Sequence, residues 1–513
     1  MGKNFTRRQI VAGAAVLGGT LALAGCAQPQ QKKQGDAGLN KESVSADLVV
    51  VGSGLAGLAC STAAAEKGAS VLLVDKAPFL TSTFLTSKGN VSLAQVPENK
   101  EFWQYDSETP DTMDEFEKRY RAQTELGKVN VPYPDYDRMR HMMEESCATI
   151  AWVEERTGLK FDKSFTKEMV GTDTVKPDVS ADPSKEAGVQ VAEGFAKELE
   201  RLGVQTMVNT EALELIHENG TVVGVKVKAS GSTQELRAKA VVLATGGFGG
   251  SQAYCDELVP VINKMGLQFL GNARNTGDGM TMATALGAAT YEGADIISNV
   301  IMPTRALTKA DVGFQKLCDN GMEGASTSSK LLVDASGVRF VNEAGPVIAL
   351  STSMVDKNAS PYYVLYDSSN AKVVELLEKG LSTGDVVKAD SISALANQTG
   401  ASQLVATFDA YQQAAVNGAD TEFKKKAEML VPYGTGPYYL VTFVPSFVAT
   451  MGGVKTNGDC QVVREDGSTI AGLYAVGEAT HRFMYNRNFV RHCSNSSALT
   501  MGRLTGAALA QQA

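Results

Sequence analysis

The apolar positions along this chain fall into runs of different character. Leu48-Val49-Val50-Val51 is continuous and β-branched, without alternation. That pattern predicts a strand buried on both faces of a parallel sheet. Val71-Leu72-Leu73-Val74 repeats it, and Ala240-Val241-Val242-Leu243-Ala244 repeats it again. Residues 58–67, between the first two runs, are Ala-rich and predict a helix. Residues 139–157 place apolar side chains at helical spacing around Trp152, predicting a second helix. Residues 204–247 predict a β-meander, with Glu218-Asn219-Gly220 as a hairpin turn. Residues 27–45 are polar and aperiodic, as expected of a flexible tether.

Composition narrows the class. A chain of 513 residues suggests about three modules at ~150 residues each. With 43% apolar and 20% charged residues it can bury a large core. A net charge of −9 argues against a nucleic-acid partner, which wants a basic footprint. The seven cysteines include no CxxC pair, so neither a zinc ribbon nor a disulfide framework is expected, and no metal site is assigned. The absence of CxxCH removes a c-type haem from this chain. At the start, Arg7-Arg8 precedes a Gly/Ala-rich apolar run too short to span a membrane, the pattern of a twin-arginine export signal. Leu23-Ala24-Gly25-Cys26 resembles a bacterial lipobox, with Cys26 as the lipidated residue. Residues 1–25 then read as a signal peptide and 26–45 as the tether. The expected location is the outer face of a cell membrane or the periplasm.

The first strand runs into Gly52-Ser53-Gly54-Leu55-Ala56-Gly57, a GxGxxG, and the second ends at Asp75. Strand, glycine turn, helix, strand and acid together predict a dinucleotide site. Gly52, Gly54, Ala56 and Gly57 let the backbone approach a pyrophosphate on the helix N-terminus. Asp75, about 20 residues on, is placed to accept from a ribose hydroxyl.

Six further stretches resemble, in order, the fumarate reductase/succinate dehydrogenase flavoproteins, in their soluble single-chain branch. These are Thr81 through Gly89, Ala244-Thr245-Gly246-Gly247, Thr276-Gly277-Asp278-Gly279, Gly337 through Glu343, Met451-Gly452-Gly453, and Gly472 through Glu478. The branch includes flavocytochrome c fumarate reductases, urocanate reductase and 3-ketosteroid dehydrogenases. The resemblance implies an α/β protein: a discontinuous, Rossmann-like FAD-binding domain with an inserted α+β capping domain. The boundaries are 46–295 and 450–513 for the FAD-binding parts and 296–449 for the cap. FAD is the implied cofactor. Its implied contacts add Lys76 beside Asp75, then Thr83, Phe84, Lys88 and Gly89 over the ribityl chain. Ala212 falls at the adenine, Thr245 and Gly246 under the cofactor, Asp278 and Glu478 beside it, and Ser494 and Asn495 at the pyrimidine.

The family's chemistry, by the same resemblance, is hydride transfer from flavin N5 to an activated C=C bond, with a proton supplied to the neighbouring carbon. Three of four residues that hold and protonate fumarate are replaced here, by Asn299, Val347 and Ala449, and only Arg487 survives. A buried dicarboxylate without its cations would cost several kcal/mol. Fumarate is therefore not the expected substrate. The replacement chemistry is expected in His481 through Cys493, which holds two of the four histidines, three arginines and a tyrosine. The candidates are Arg487 as anchor, Tyr485 as proton donor, and Arg491 and His492 as polarising groups. The expected substrate is a small unsaturated acceptor, an enoate or enone. Electrons would come from an external, membrane-linked cytochrome or flavoprotein, as in anaerobic respiration. Two alternatives are a dehydrogenase that desaturates a steroid-like or other hydrophobic substrate, and a ligand-binding lipoprotein without catalysis.

Overall fold

In a computed structural model the described residues are 44–80, 90–94, 112–167, 173–178, 180, 182, 184–303, 326–345 and 347–512. Residues 1–43, with Arg7, Arg8 and Cys26, and residues 81–89, with Thr83, Phe84, Lys88 and Gly89, lie outside them.

The chain divides into two units. The first comprises residues up to 250 with 274–294 and 450–513; the second comprises 251–273 and 295–449. In the first, strand β1 (Val44–Val51) leads to helix α1 (Leu55–Glu66) and strand β2 (Val71–Val74). β1 lies between β2 and strand Ser232–Leu243, parallel to both, with Val50 opposite Leu73 and Val242. Gln205–Met207 extends the sheet beyond β2. On the other side Thr469–Ala475 pairs with Ser232–Leu243 in parallel, and Thr221–Ala229 pairs with it antiparallel and in turn with Thr210–Glu218, completing the meander. Burial of Leu48 through Val51 accounts for their unbroken apolar run. The meander turns where expected: Asn219 and Gly220 both have positive φ, the geometry of a tight hairpin.

Helix α1 is buried from Leu55 through Ala64 because a long helix, Cys493–Ala510, lies across it. The contact is close. A Cβ on Gly502 would stand 2.5 Å from the Ala56 carbonyl oxygen, and one on Gly506 2.2 Å from that of Cys60. The helix expected over 139–157 is two, Tyr136–Glu144 and Ser146–Thr157. The junction is at Glu145, with φ −81° and ψ −7°, and there the Ser146 hydroxyl donates to the Met143 carbonyl at 2.6 Å.

The second unit is built on strand Tyr438–Met451. Val386–Ala389 and Tyr362–Tyr366 pair with it antiparallel, and Gln268–Phe269 pairs parallel at Ser446 and Phe447. That last pairing assigns 251–273 to this unit, whereas a boundary at 295 leaves them with the nucleotide-binding part. The Gly337–Glu343 motif has a structural task here. Arg339 forks onto both oxygens of Glu343 at 2.8 Å and reaches Asp420 at 2.8 Å, while Lys425 bonds Glu343 at 3.2 Å. The Glu343 and Lys425 side chains are fully buried. Burial alone would disfavour these charges; mutual pairing is what makes them tolerable. Glu343→Gln leaves Arg339 and Lys425 with one carboxylate between them. It is expected to cost about 3–5 kcal/mol, read as a fall in the urea midpoint. An unchanged midpoint would show that the cluster does not carry the fold of this unit.

Candidate functional site

The site grows from the end of β1. Gly52 has φ +102°, and a Cβ there would lie 2.3 Å from the Ala244 carbonyl oxygen. A Cβ on Gly57 would lie 1.9 Å from the Gly52 carbonyl oxygen. Side chains are thus excluded on both sides of the turn. Gly54 caps α1 with no side-chain bond, and no acidic residue stands in the first turn. The first N–H groups of a helix lack intrahelical partners and carry partial positive charge. Here they are left for a ligand, and the dipole favours an anion.

Asp75 is buried, and its carboxylate is already engaged. Oδ2 accepts from the Ser53 N–H at 2.7 Å and hydroxyl at 2.6 Å, and Oδ1 accepts from the Ala77 N–H at 2.8 Å. Desolvation raises its pKa, against the pull of these bonds. Its first task is to tie the glycine turn to the end of β2, which leaves acceptor capacity on Oδ1 for a ribose hydroxyl. Beside it, Lys76 Nζ meets Asp278 Oδ2 and Thr276 Oγ1, each at 2.6 Å. Asp278 opens helix Asp278–Thr284. Ala212 lies in strand Thr210–Glu218, and the Thr210 N–H bonds the Asp75 carbonyl.

Glu478 joins three distant segments. Oε1 accepts from the Thr450 N–H at 2.9 Å and hydroxyl at 3.2 Å, and Oε2 accepts from Asn275 Nδ2 at 3.0 Å. Loss of water around the carboxyl raises its pKa. Its neighbours admit no bulk: a Cβ on Gly247 would sit 2.2 Å from Glu478 Oε1, and one on Gly246 2.8 Å from the Asn275 amide. Thr245 faces Gly279 at a similar approach, 2.3 Å from a would-be Cβ. Asn275 and Thr450 were not selected as site residues from the sequence. Their one signal is position, directly before the TGDG and MGG stretches.

This arrangement of glycine turn, uncapped helix and glycine-lined floor suits an extended dinucleotide. Residues 47–497 match the family model described as FAD binding domain. The chain belongs to this FAD-binding family. This FAD-binding protein is 26% identical over 497 residues to an NADH:acrylate oxidoreductase of Vibrio harveyi, covering 85% of the chain and 47% of that protein. It thus spans about half the length of the first relatives it matches. It is 28% identical over 475 residues to a urocanate reductase of Eggerthella lenta, covering 90% and 74%. Its fold is that of the 3-ketosteroid-Δ4-(5α)-dehydrogenase of Rhodococcus jostii, with a TM-score of 0.70, 22% identity, and 91% and 97% coverage. The residues present fit FAD: Gly52, Gly54 and Gly57 would hold its pyrophosphate and Asp75 its ribose, over the floor at Thr245–Gly246.

The remaining candidates of this FAD-binding protein lie in the segment 481–495, which leads into the start of helix Cys493–Ala510. His492 precedes that helix at φ +62° without a side-chain cap, and its first turn holds no acid. Asn495 Nδ2 donates to the Asn90 carbonyl at 2.8 Å, Ser496 to that of Ser92, and the Ser92 hydroxyl to that of Arg491 at 2.6 Å. Tyr485 is fully buried. Its hydroxyl is 3.1 Å from Ser494 Oγ, and its ring meets the edges of His481 and Phe489. Burial, with the Cys493 thiol nearby, lifts its pKa well above the usual phenol range. Arg487, Arg491 and His492 are half-buried. Arg482, which was not chosen from the sequence, is sealed in the interior and donates to the Asn486 carbonyl at 2.8 Å.

His481 is also buried. Desolvation pushes its pKa down to about 4, against a hydrogen bond to the Thr450 backbone. It is neutral at pH 7, so it contributes shape and not charge. An unfolded imidazole titrates near 6.5, so between pH 6.5 and 4 only the unfolded chain takes up this proton. Stability is therefore expected to fall as pH drops through that window, by up to about 3 kcal/mol from this group. His481→Phe should flatten this part of the urea-midpoint profile between pH 7 and 5; parallel profiles would show that the imidazole is not held neutral. Separately, Gly57→Ala is expected to abolish flavin retention on gel filtration while the protein stays folded by circular dichroism. A variant that keeps its flavin would refute the tight turn.

Proposed function

We propose that the chain is an FAD-dependent oxidoreductase acting on CH–CH groups, which reduces the activated C=C bond of a small enoate or enone. Fumarate is not its best acceptor. One observation carries this reading. Arg487, Arg491 and His492 are half-buried within six residues of chain that lead into an uncapped helix N-terminus in the FAD-binding unit, while the family's other fumarate-binding positions hold Asn299, Val347 and Ala449. Such a set suits one carboxylate or carbonyl better than two carboxylates. Acrylate and urocanate, the substrates in the names of two relatives, each carry a single carboxylate conjugated with the double bond.

FAD, when bound, supplies the hydride. The chain supplies the rest. Arg487 offers a planar fork that fits a carboxylate through two parallel bonds and fixes the acceptor's orientation. Arg491 and His492, with the helix dipole, stabilise negative charge as it develops on the activating group. Tyr485 stays protonated across the physiological range because burial disfavours its phenolate. It can release that proton through Ser494 Oγ, 3.1 Å away, to the α-carbon. The protein is exported by its twin-arginine signal and held by a lipid on Cys26, and its electrons come from a membrane-linked cytochrome or flavoprotein.

The test is anaerobic. Protein reduced by a viologen dye is mixed with acrylate, urocanate, cyclic enones or fumarate, and flavin reoxidation is followed. A monocarboxylic enoate or enone is expected to outpace fumarate at least tenfold, about 1.4 kcal/mol in transition-state binding. For a carboxylate acceptor, Arg487→Ala should lower kcat/KM by about 10²–10³ with the flavin retained. Fumarate as best acceptor would contradict the reading. Turnover only of a saturated substrate with an artificial acceptor would reverse its direction, to a dehydrogenase.

A further inference from the structure

We infer that Thr124 is a positioning residue that sets the aim of Arg487, a step that rests on the role proposed for that arginine. Residues 485–490 belong to no helix or strand. Their buried backbone groups must still be paired, since a buried amide or carbonyl that has lost water without gaining a partner is destabilising. Thr124 provides most of that pairing from one position. Its hydroxyl accepts from the Asn486 N–H at 2.9 Å and donates to the Asn488 carbonyl at 2.9 Å. Its own carbonyl accepts from the N–H groups of Arg487 and Asn488, both at 3.0 Å. One residue thus reads three in a row, with Arg487 at the centre.

The sequence around Thr124 explains why it can do this. It is the last residue of helix Met113–Thr124, so its carbonyl has no intrahelical donor to satisfy. The far end of that helix is fixed by a capping box between Thr112 and Glu115. Along the same helix, the fully buried Tyr120 donates its hydroxyl to the Met484 carbonyl at 2.7 Å. The chain after the helix locks back. Asn486 Nδ2 donates to the carbonyls of Val129 at 3.2 Å and Tyr133 at 2.8 Å, and its Oδ1 accepts from the Val129 N–H at 2.8 Å. Asn488 donates to the Leu126 carbonyl. At Gly127, with φ +70°, a Cβ would stand 3.8 Å from Arg487 Cγ, so the stem of the arginine runs beside this turn. The helix C-terminus also carries partial negative charge, which favours a guanidinium nearby.

The test compares Thr124→Val, which keeps the shape and loses the hydroxyl, with Thr124→Ser, which restores it. Two quantities are read on flavin-loaded protein: amide hydrogen exchange in 485–489, and kcat and KM with acrylate or urocanate as acceptor. Thr124→Val is expected to accelerate exchange there, and to lower kcat/KM for the acceptor by about 10- to 100-fold. Flavin content and the rate of flavin reduction by the viologen should stay as in the parent, and Thr124→Ser should recover most of both losses. Unchanged exchange in Thr124→Val overturns the inference, as does faster exchange with unchanged kcat/KM. If the parent protein reduces neither these acceptors nor a cyclic enone, the proposed function fails. The exchange comparison then decides by itself whether Thr124 orders the segment.

Discussion

Everything in the FAD-binding unit depends on how closely the backbone comes to itself at the Gly52–Gly57 turn. A helix N-terminus attracts a pyrophosphate only if no side chain covers it and none caps it. Both conditions are met by absence: there is no Cβ at Gly52 or Gly57, and no side-chain cap at Gly54. The same demand recurs on the other side of α1. Gly502 and Gly506 let helix Cys493–Ala510 lie against the carbonyls of Ala56 and Cys60. One close approach therefore leaves the N-terminus of α1 open, and a second packs the last helix against the far side of α1. Glu478 completes the floor by holding Asn275 and Thr450 in place under the ATGG turn.

The split between what the sequence revealed and what it hid follows the range of the interactions. β1, the glycine turn, α1 and β2 were legible because each is specified within a few residues. The Asn219-Gly220 hairpin was legible for the same reason. The break at Glu145 was not, since the apolar periodicity runs on across it and only a single residue's backbone departs from the helix. The place of 251–273 was hidden because strand Gln268–Phe269 finds its partner at Ser446 and Phe447, far along the chain.

The candidate site divides in the same way. Its glycines and acids were named from motifs, but their partners were not. Asp75 reads as a ribose acceptor, and its strongest bonds are to Ser53 and Ala77. Glu478 reads as a flavin contact, and both its oxygens are taken by Thr450 and Asn275. The Arg339–Glu343 pair reads as a family marker and proves to be a buried ionic anchor of the second unit. Arg482 lay in the singled-out stretch 481–493 without being assigned a role, and Thr124 carries no motif at all. Their importance comes from burial and from the irregular backbone of 485–490, which no periodicity announces.

The account stands or falls on the cofactor that the glycine turn is built to hold. The most direct measurement is the identity and amount of flavin released by acid from protein purified without added cofactor. The account predicts FAD, close to one per chain. FMN, or protein free of flavin that also fails to bind added FAD, would contradict it.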